Sequence, residues 1–403
     1  MTALEKLLAG AGTAWPESRR REALSLARSL ELPGRRTEGW RLTDLAALYA
    51  QRFDLAGQSR QPEIDAWKIP GTSTIVFVDG RFSAALSDLQ DDPAVSVAPL
   101  GLESTDLHAH FGVLEDSDVF AALNSAHFED CAWVRVKGEA RHPVHILHLG
   151  TQPGAAWHPR CVAVLEENAR ATLIEQHVGS GWCNATTEIA IGAGAGLKHV
   201  VLQQQDEAAF HVGRSRVGLG RDADYDAVSV SLGARVSRFE QGVVLSGPGA
   251  SVKLSGLSLT GGRQVSDART RIDHAAPDCT SVQRHKCIAD GASSAVFSGN
   301  VVVHRGASGT NSNQSSRNLL LSGRAKIDAQ PQLEILNDDV SCRHGATVGR
   351  IDAEELFYLR SRGLGEAEAR RLLICAFAAE IVDRIPVKPL REALSREFFG
   401  RLS

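Results

Sequence analysis

The sequence predicts a mainly β protein, a parallel β-helix core flanked by N-terminal and C-terminal α-helical domains. Three observations carry this. Helical periodicity fills both ends of the chain and nearly vanishes between about residue 72 and residue 340, where runs of four to seven strand-forming residues alternate with Gly, Asn, Asp and Ser. A repeat runs through that middle region: ENARATLIEQH, GAGAGLKHVVLQ, GRDADYDAVSVSL and GPGASVKLSGLSL align at Ala169, Ala195, Ala223 and Ala250, offsets of 26, 28 and 27 residues. Each unit has one turn followed by an alternating strand and no helix, so the units stack as coils and bury their faces only against each other. A β-sandwich would space its strands by about 8–12 residues instead.

The chain divides into residues 1–71, 72–345 and 346–403. In the first part, Pro16 sits where an opening helical residue is tolerated. Leu24, Leu26, Ala27 and Leu30 form an apolar stripe up to the Pro33-Gly34 stop. A second helical spacing, Leu42, Leu45, Ala46 and Leu48, begins near Thr43. Trp40 and Trp67 read as packing residues, and the basic run Arg19-Arg20-Arg21 as a solvated helix face. The core opens with a hairpin region near 72–90, TSTIVFVDGRFSAAL, whose Asp79-Gly80 is a two-residue turn signal. Weaker echoes of the repeat follow at Ala292 and Ala325.

The last part is helical again. Asp352 is a capping residue for a helix over 353–362, with Glu355 placed to reach back, and Gly363 closes it. A second helix over 366–385 carries Ala369, Leu372, Leu373, Ala376, Phe377, Ile381 and Ile385 on an apolar face. Acidic residues crowd its start and Pro386 stops it. LREALSREFFGRLS forms a third. These helices are expected to cap the open end of the solenoid, which would otherwise expose unpaired strand edges.

Composition excludes several classes. The net charge is −4 in 403 residues, so no global basic field points to nucleic acid. No run of 18 apolar residues predicts a membrane span, and the N-terminus does not read as a signal peptide. Seven dispersed cysteines without a CxxC read as reduced thiols of a cytoplasmic protein. No phosphate-binding loop or nucleophile elbow is present, and Gly192, Gly194 and Gly196 read as a turn of the repeat.

Strand geometry separates the candidate ligands. His142, His145 and His148 are three apart, so neighbours face opposite sides of a strand, and they are expected to be solvated or singly bonded. His108 and His110 would share a face but lack a third partner. His285 and Cys287 also share a face, near Cys279, and read as interior packing more readily than as a soft-metal pair. Cys342 and His344 lie one residue apart where the last strand gives way, near the Gly345 and Gly349 breaks, to helices. Two ligands are too few for a closed structural site, which needs four, so the remaining ones would come from a partner subunit. No paired carboxylates suit the polysaccharide chemistry common on β-helices: Asp338 and Asp339 are adjacent. A carbohydrate-active lyase or hydrolase is the alternative function for such a fold.

Four stretches carry a specific resemblance: RRTEGWRLTDL, DVFAALNSAHFED, TNSNQSSRNLLLS and, above all, PQLEILNDDVSCRHGATVGRIDAEELFYLRSRG. Over nearly the whole chain the sequence resembles the SufB/SufD family of iron–sulfur cluster assembly scaffolds, and its helical N-terminus is more similar to SufD. The resemblance implies a right-handed β-helix and a non-catalytic role. It also implies pairing with a SufB-like subunit through the β-helix, or a homodimer when isolated, and binding of a SufC-like ATPase through the C-terminal helices. It places the family's Cys-x-His pair on Cys342 and His344, with Arg343 where a serine is commoner. His344 is the stronger ligand candidate and Cys342 the second. Iron or a nascent cluster is then a transient guest, with no cofactor held tightly by the isolated chain.

Overall fold

The structure is a computed structural model describing residues 17–57, 62–99 and 118–401. Pro16, His108 and His110 lie outside the described residues. It is a parallel β-solenoid of about 8 turns with N-terminal and C-terminal helices. The strands are β1 (Asp54–Leu55), β2 (Ser73–Val78), β3 (Arg81–Phe82), β4 (Val95–Ala98), β5 (Cys131–Val136), β6 (Val144–Gly150), β7 (Ala155–Trp157), β8 (Arg160–Leu165), β9 (Arg170–Gly179) and β10 (Trp182–Ile191). They continue as β11 (Gly196–Gln205), β12 (Phe210–Leu219), β13 (Asp224–Ser231), β14 (Val236–Leu245), β15 (Ser251–Thr260), β16 (Val265–His274), β17 (Thr280–Ala289), β18 (Ser294–Val303), β19 (Thr310–Leu320), β20 (Lys326–Ile335) and β21 (Val340–Gly349). Even-numbered strands from β8 to β20 stack in one sheet, and odd-numbered ones from β9 to β21 in the other with β6 and β2. One coil is therefore two strands. Gly196 pairs with Arg170, a step of 26 residues, and Lys326 with Ser294, a step of 32.

The repeat seen in the sequence is the corner before each odd-numbered strand. Ala169, Ala195, Ala223 and Ala250 are all buried there. The next corners hold Cys279 and Thr310, both buried. Ala292 and Ala325 instead precede strands of the other sheet, so the echoes assigned to them belong to a different corner. The residue before each buried corner has positive φ, and the column alternates: Asn168, Gly194, Asp222, Gly249, Asp278, Gly309. The reason is steric. A Cβ on Gly194, Gly249 or Gly309 would meet the Oδ1 of Asn168, Asp222 or Asp278 at 2.3–2.4 Å. Each Asx side chain lies over the next coil's glycine, where only a bare backbone fits.

The Asp79-Gly80 turn forms as read, with φ of 50° and 83°, joining β2 and β3 antiparallel. At this end the coils are finished by antiparallel strands, β3 on β2 and β4 on β5.

The helices do not cap the far end. α1 (Glu17–Ser29), α2 (Ala46–Tyr49) and α3 (Val119–His127) pack on the outside of the even-numbered sheet, burying Ala27, Trp40, Leu48, Phe120 and Leu123 against Trp182, Phe210, Val212 and Val236. α4 (Ala353–Ser361), α5 (Glu366–Val382) and α6 (Lys388–Arg401) lie alongside the odd-numbered sheet. There Ile374, Ala378, Ile381, Leu390, Leu394 and Phe398 cover Ile174, Val200, Val228, Leu257 and Ile288. Both expectations about the α5 face and the cap change for one reason. The outward residues of the odd-numbered strands are themselves apolar and need covering, which takes the helices to the side of the solenoid. The face α5 buries is Ala369, Ile374, Ala378 and Ile381, leaving Leu372 and Ala376 exposed. Asp352 caps α4 through Glu354 N–H and Glu355 N–H, and Gly363 follows it at φ 94°.

Arg20 is not on a solvated face. It is buried and donates to the carbonyls of Ala126 (3.3 Å) and Phe128 (2.8 Å), tying α1 to α3. Trp40 does pack: it lies under the Arg238 guanidinium at 3.6 Å and against Phe120. No described helix is long and apolar enough to cross a membrane.

Candidate functional site

Among the described residues, the open end of the solenoid is made of β20, paired only with β18, and β21, paired only with β19. Both are largely exposed, and Ile335, Leu336 and Val348 present apolar side chains to solvent, Val348 at 47%. Cys342 and His344 sit on β21, which continues through Gly345 to Gly349 rather than breaking at the first glycine.

The register shows which way these residues face. In β19 the alternate residues Thr310, Ser312, Gln314, Ser316 and Asn318 are buried, as is Leu319, and those between the first five are exposed or half-buried. The inward set is polar, and the matched residues of β17, Ser281, Gln283 and His285, are buried and polar too, so the apolar interior seen at Val252 and Leu254 gives way to polar side chains over the last coils. Ser312 pairs with Cys342 and Gln314 with His344. Cys342 and His344 therefore share the inward face, with one residue between them. Arg343 pairs with Asn313 on the opposite face, so its guanidinium leaves the Cys-x-His face clear.

Cys342 is half-buried against Val301, Val303 and Ala307, and burial lifts its thiol above the ordinary value. By itself it is held as the thiol, so a metal ion would have to displace the proton. His344 is exposed. Among the described residues no group of three or more His, Cys, Asp or Glu side chains converges on a metal-sized site.

The other candidates resolve differently. His145 and His148 are buried, not solvated: His145 bonds Gln176 at 3.0 Å, and His148 stacks on His177 at 5.0 Å. β6 is covered on both faces, so strand alternation could not expose either. His285 stacks on Phe297 at 4.2 Å, and Cys287 packs with Ala289, Ala295 and Phe297, which is the interior-packing role. Asp338 and Asp339 are exposed in the turn before β21.

A mid-chain polar cluster escaped the sequence reading. Glu175 accepts hydrogen bonds from His199 (2.9 Å) and Thr187 (2.7 Å), and Tyr225 joins His199 to Gln241. Burial works against the Glu175 carboxylate, yet the bonds and charge of His199 hold it down to about 2. These residues come from five strands of three successive coils, a convergence that no local spacing reveals.

A family model described as the SUF system FeS cluster assembly, SufBD core domain, matches residues 148–377, more than half of the chain. The chain belongs to the SufBD family. Among its SufBD relatives, an iron–sulfur cluster assembly SufBD family protein of Synechocystis is 36% identical over 94% of this chain and 89% of its own length. The iron–sulfur cluster assembly protein SufD of Escherichia coli is 32% identical over 92% of this chain and 89% of its own. A SufBD family protein of Mycobacterium leprae is 30% identical over 91% and 89%. A role in SUF iron–sulfur cluster assembly follows from the family.

Proposed function

We propose that this chain is a non-catalytic, SufD-like subunit of a cytoplasmic SUF complex. It pairs with a SufB-like chain through the open end of its solenoid and contributes ligands to a nascent cluster there. The observation that carries this reading is the inward Cys342 and His344 on an uncovered terminal strand, with exposed Ile335, Leu336 and Val348 beside them. An open edge is a template for a second sheet. Two ligands without a third suit a site finished by another chain.

Iron, sulfide or the cluster is cargo here. An incomplete ligand set on each subunit binds it loosely enough to be passed on, since affinity depends on ligand number and on the groups orienting the ligands. His344 is the first ligand and Cys342 the second. The SufC-like ATPase would dock on α4 and α5, where Phe357 (72% exposed), Tyr358 (56%) and Leu372 face solvent.

The test is reconstitution of the full complex with His344→Ala and Cys342→Ser. Both should still assemble. His344→Ala should lose iron and sulfide, and Cys342→Ser should lose less. Undiminished cluster formation by His344→Ala sinks the ligand role.

A further inference from the structure

Gln314 is buried, yet its Oε1 has no hydrogen-bond partner among the described residues. An unsatisfied buried acceptor is costly, so it calls for a physical reason. The other half of the amide is engaged one coil earlier. Nε2 lies 3.5 Å from Gln283 Oε1, which itself accepts from Thr270 Oγ1 at 2.7 Å. With its nitrogen facing Gln283 and lying over Gly299, the oxygen is the atom of the amide left without a bond.

The residue that pairs with Gln314 on the next strand is His344. Gln283, Gln314 and His344 are consecutive in one column of the sheet. Inward side chains at matched positions of neighbouring strands stand about 4.8 Å apart, within reach of a hydrogen bond for a glutamine and an imidazole. The adjacent inward column repeats the pattern. His274 bonds Ser281 at 2.9 Å, Ser281 donates to Ser312 at 2.8 Å, and Ser312 pairs in register with Cys342. Both candidate ligands therefore end polar columns built inside the solenoid.

We propose that Gln314 is a positioning residue for His344. Its carboxamide oxygen accepts one imidazole N–H, which fixes the tautomer and presents the other nitrogen's lone pair to iron. No bond is made or broken in this step. A neutral imidazole has one N–H and one lone pair, and a bond to the first orients the second. The proposal rests on His344 being a ligand, and it adds the group that holds the ligand in place.

The experiment is reconstitution of the full complex with Gln314→Leu, Gln314→Asn, Gln314→Glu and His344→Ala, reading iron, sulfide and the cluster's visible absorption. Thermal melting and partner co-purification are read alongside. Removing a group that orients a ligand typically lowers metal occupancy or affinity about tenfold or more. Gln314→Leu should show that loss with unchanged melting and assembly. Gln314→Asn, whose oxygen is drawn back by one methylene, should also show it and serves if the leucine variant does not fold. Gln314→Glu keeps an acceptor of the same reach but sets a carboxylate oxygen against Gln283 Oε1, so it should hold clearly more iron and sulfide than Gln314→Leu, which a purely packing role would not predict. Wild-type occupancy in Gln314→Leu or Gln314→Asn overturns the proposal, as does a Gln314→Glu variant as depleted as Gln314→Leu. If His344→Ala loses the cluster in that same experiment, the ligand reading stands and only Gln314 falls. If His344→Ala keeps it, both fall.

Discussion

Lys286 on β17 and Glu380 on α5 form a bridge between the solenoid and its C-terminal helices, buried at the lysine and exposed at the glutamate, with Nζ 2.5 Å from the carboxylate. The same ammonium donates to the Phe377 carbonyl at 2.8 Å and lies 4.1 Å from the centre of that residue's ring. One side chain thus ties a helix to the sheet in three ways, while the apolar contacts around it supply most of the burial.

Replacing Lys286 with Met keeps the stem and removes all three contacts. Unfolding free energy should fall by about 1–3 kcal/mol, and α5 amides should exchange faster while those of β9 to β14 do not. Unchanged exchange in α5 would show that apolar packing alone holds the helices. The hydrogen bond from Lys286 also holds the Glu380 carboxyl below its ordinary value. That stabilisation is complete above the ordinary carboxylate pKa and is lost as pH falls through the lowered one. Acid should therefore loosen α5 in the wild type and have less effect in Lys286→Met.

Buried histidines set a second pH dependence. Burial lowers His145 and His177 to about 4 and His148 to about 3. Between 6.5 and those values the unfolded chain takes up protons that the folded chain refuses, so stability drops as pH falls. Each such histidine contributes about 1.4 kcal/mol per pH unit in that window. Neither ring nitrogen of His148 has a partner among the described residues. His148→Phe should unfold at higher urea than the wild type, by a margin that widens from pH 7.5 to pH 5. A margin that does not widen would mean His148 is protonated in the folded state.

The α4 surface gives a third prediction. Phe357→Glu should change stability by less than about 0.5 kcal/mol, because the side chain packs against little. It should abolish co-purification with a SufC-like ATPase. An intact complex would place the ATPase elsewhere.

The terminal edge gives a fourth. Ile335→Asp together with Val348→Lys puts charges on the exposed β20–β21 end, and such charges block edge-to-edge pairing. The variant should fold as a monodisperse chain and fail to pair with a SufB-like subunit, as read by light scattering after gel filtration. Pairing at wild-type strength would move the interface off this end.

The legible part of this protein was local. The corner spacing of Ala169, Ala195, Ala223 and Ala250 disclosed the solenoid because stacking repeats the same steric demand every coil. Asp79-Gly80, Asp352 and Gly363 disclosed their turns and caps because backbone conformation depends on near neighbours. Cys342 and His344 stood out because a thiol and an imidazole lie close together in sequence. The inward face of TNSNQSSRN was not legible, because every residue of the run is polar and no alternation marks a buried side.

Other features were settled by tertiary contact alone. Arg20 reads as one of three solvated arginines until the carbonyls of Ala126 and Phe128, more than 100 residues away, are brought to it. The position of the helices depended on outward apolar residues such as Val200 and Leu257, which look like interior ones in a strand buried on both faces. The pairing of Gln314 with His344 joins residues 30 apart through a register that only the stacked coils define. Sequence determined the repeat, the turns and the Cys-x-His pair, because each is fixed within a few residues. Tertiary structure decided which faces were covered and left Cys342 and His344 at an open end, because burial is a property of what packs against a surface and not of the surface alone.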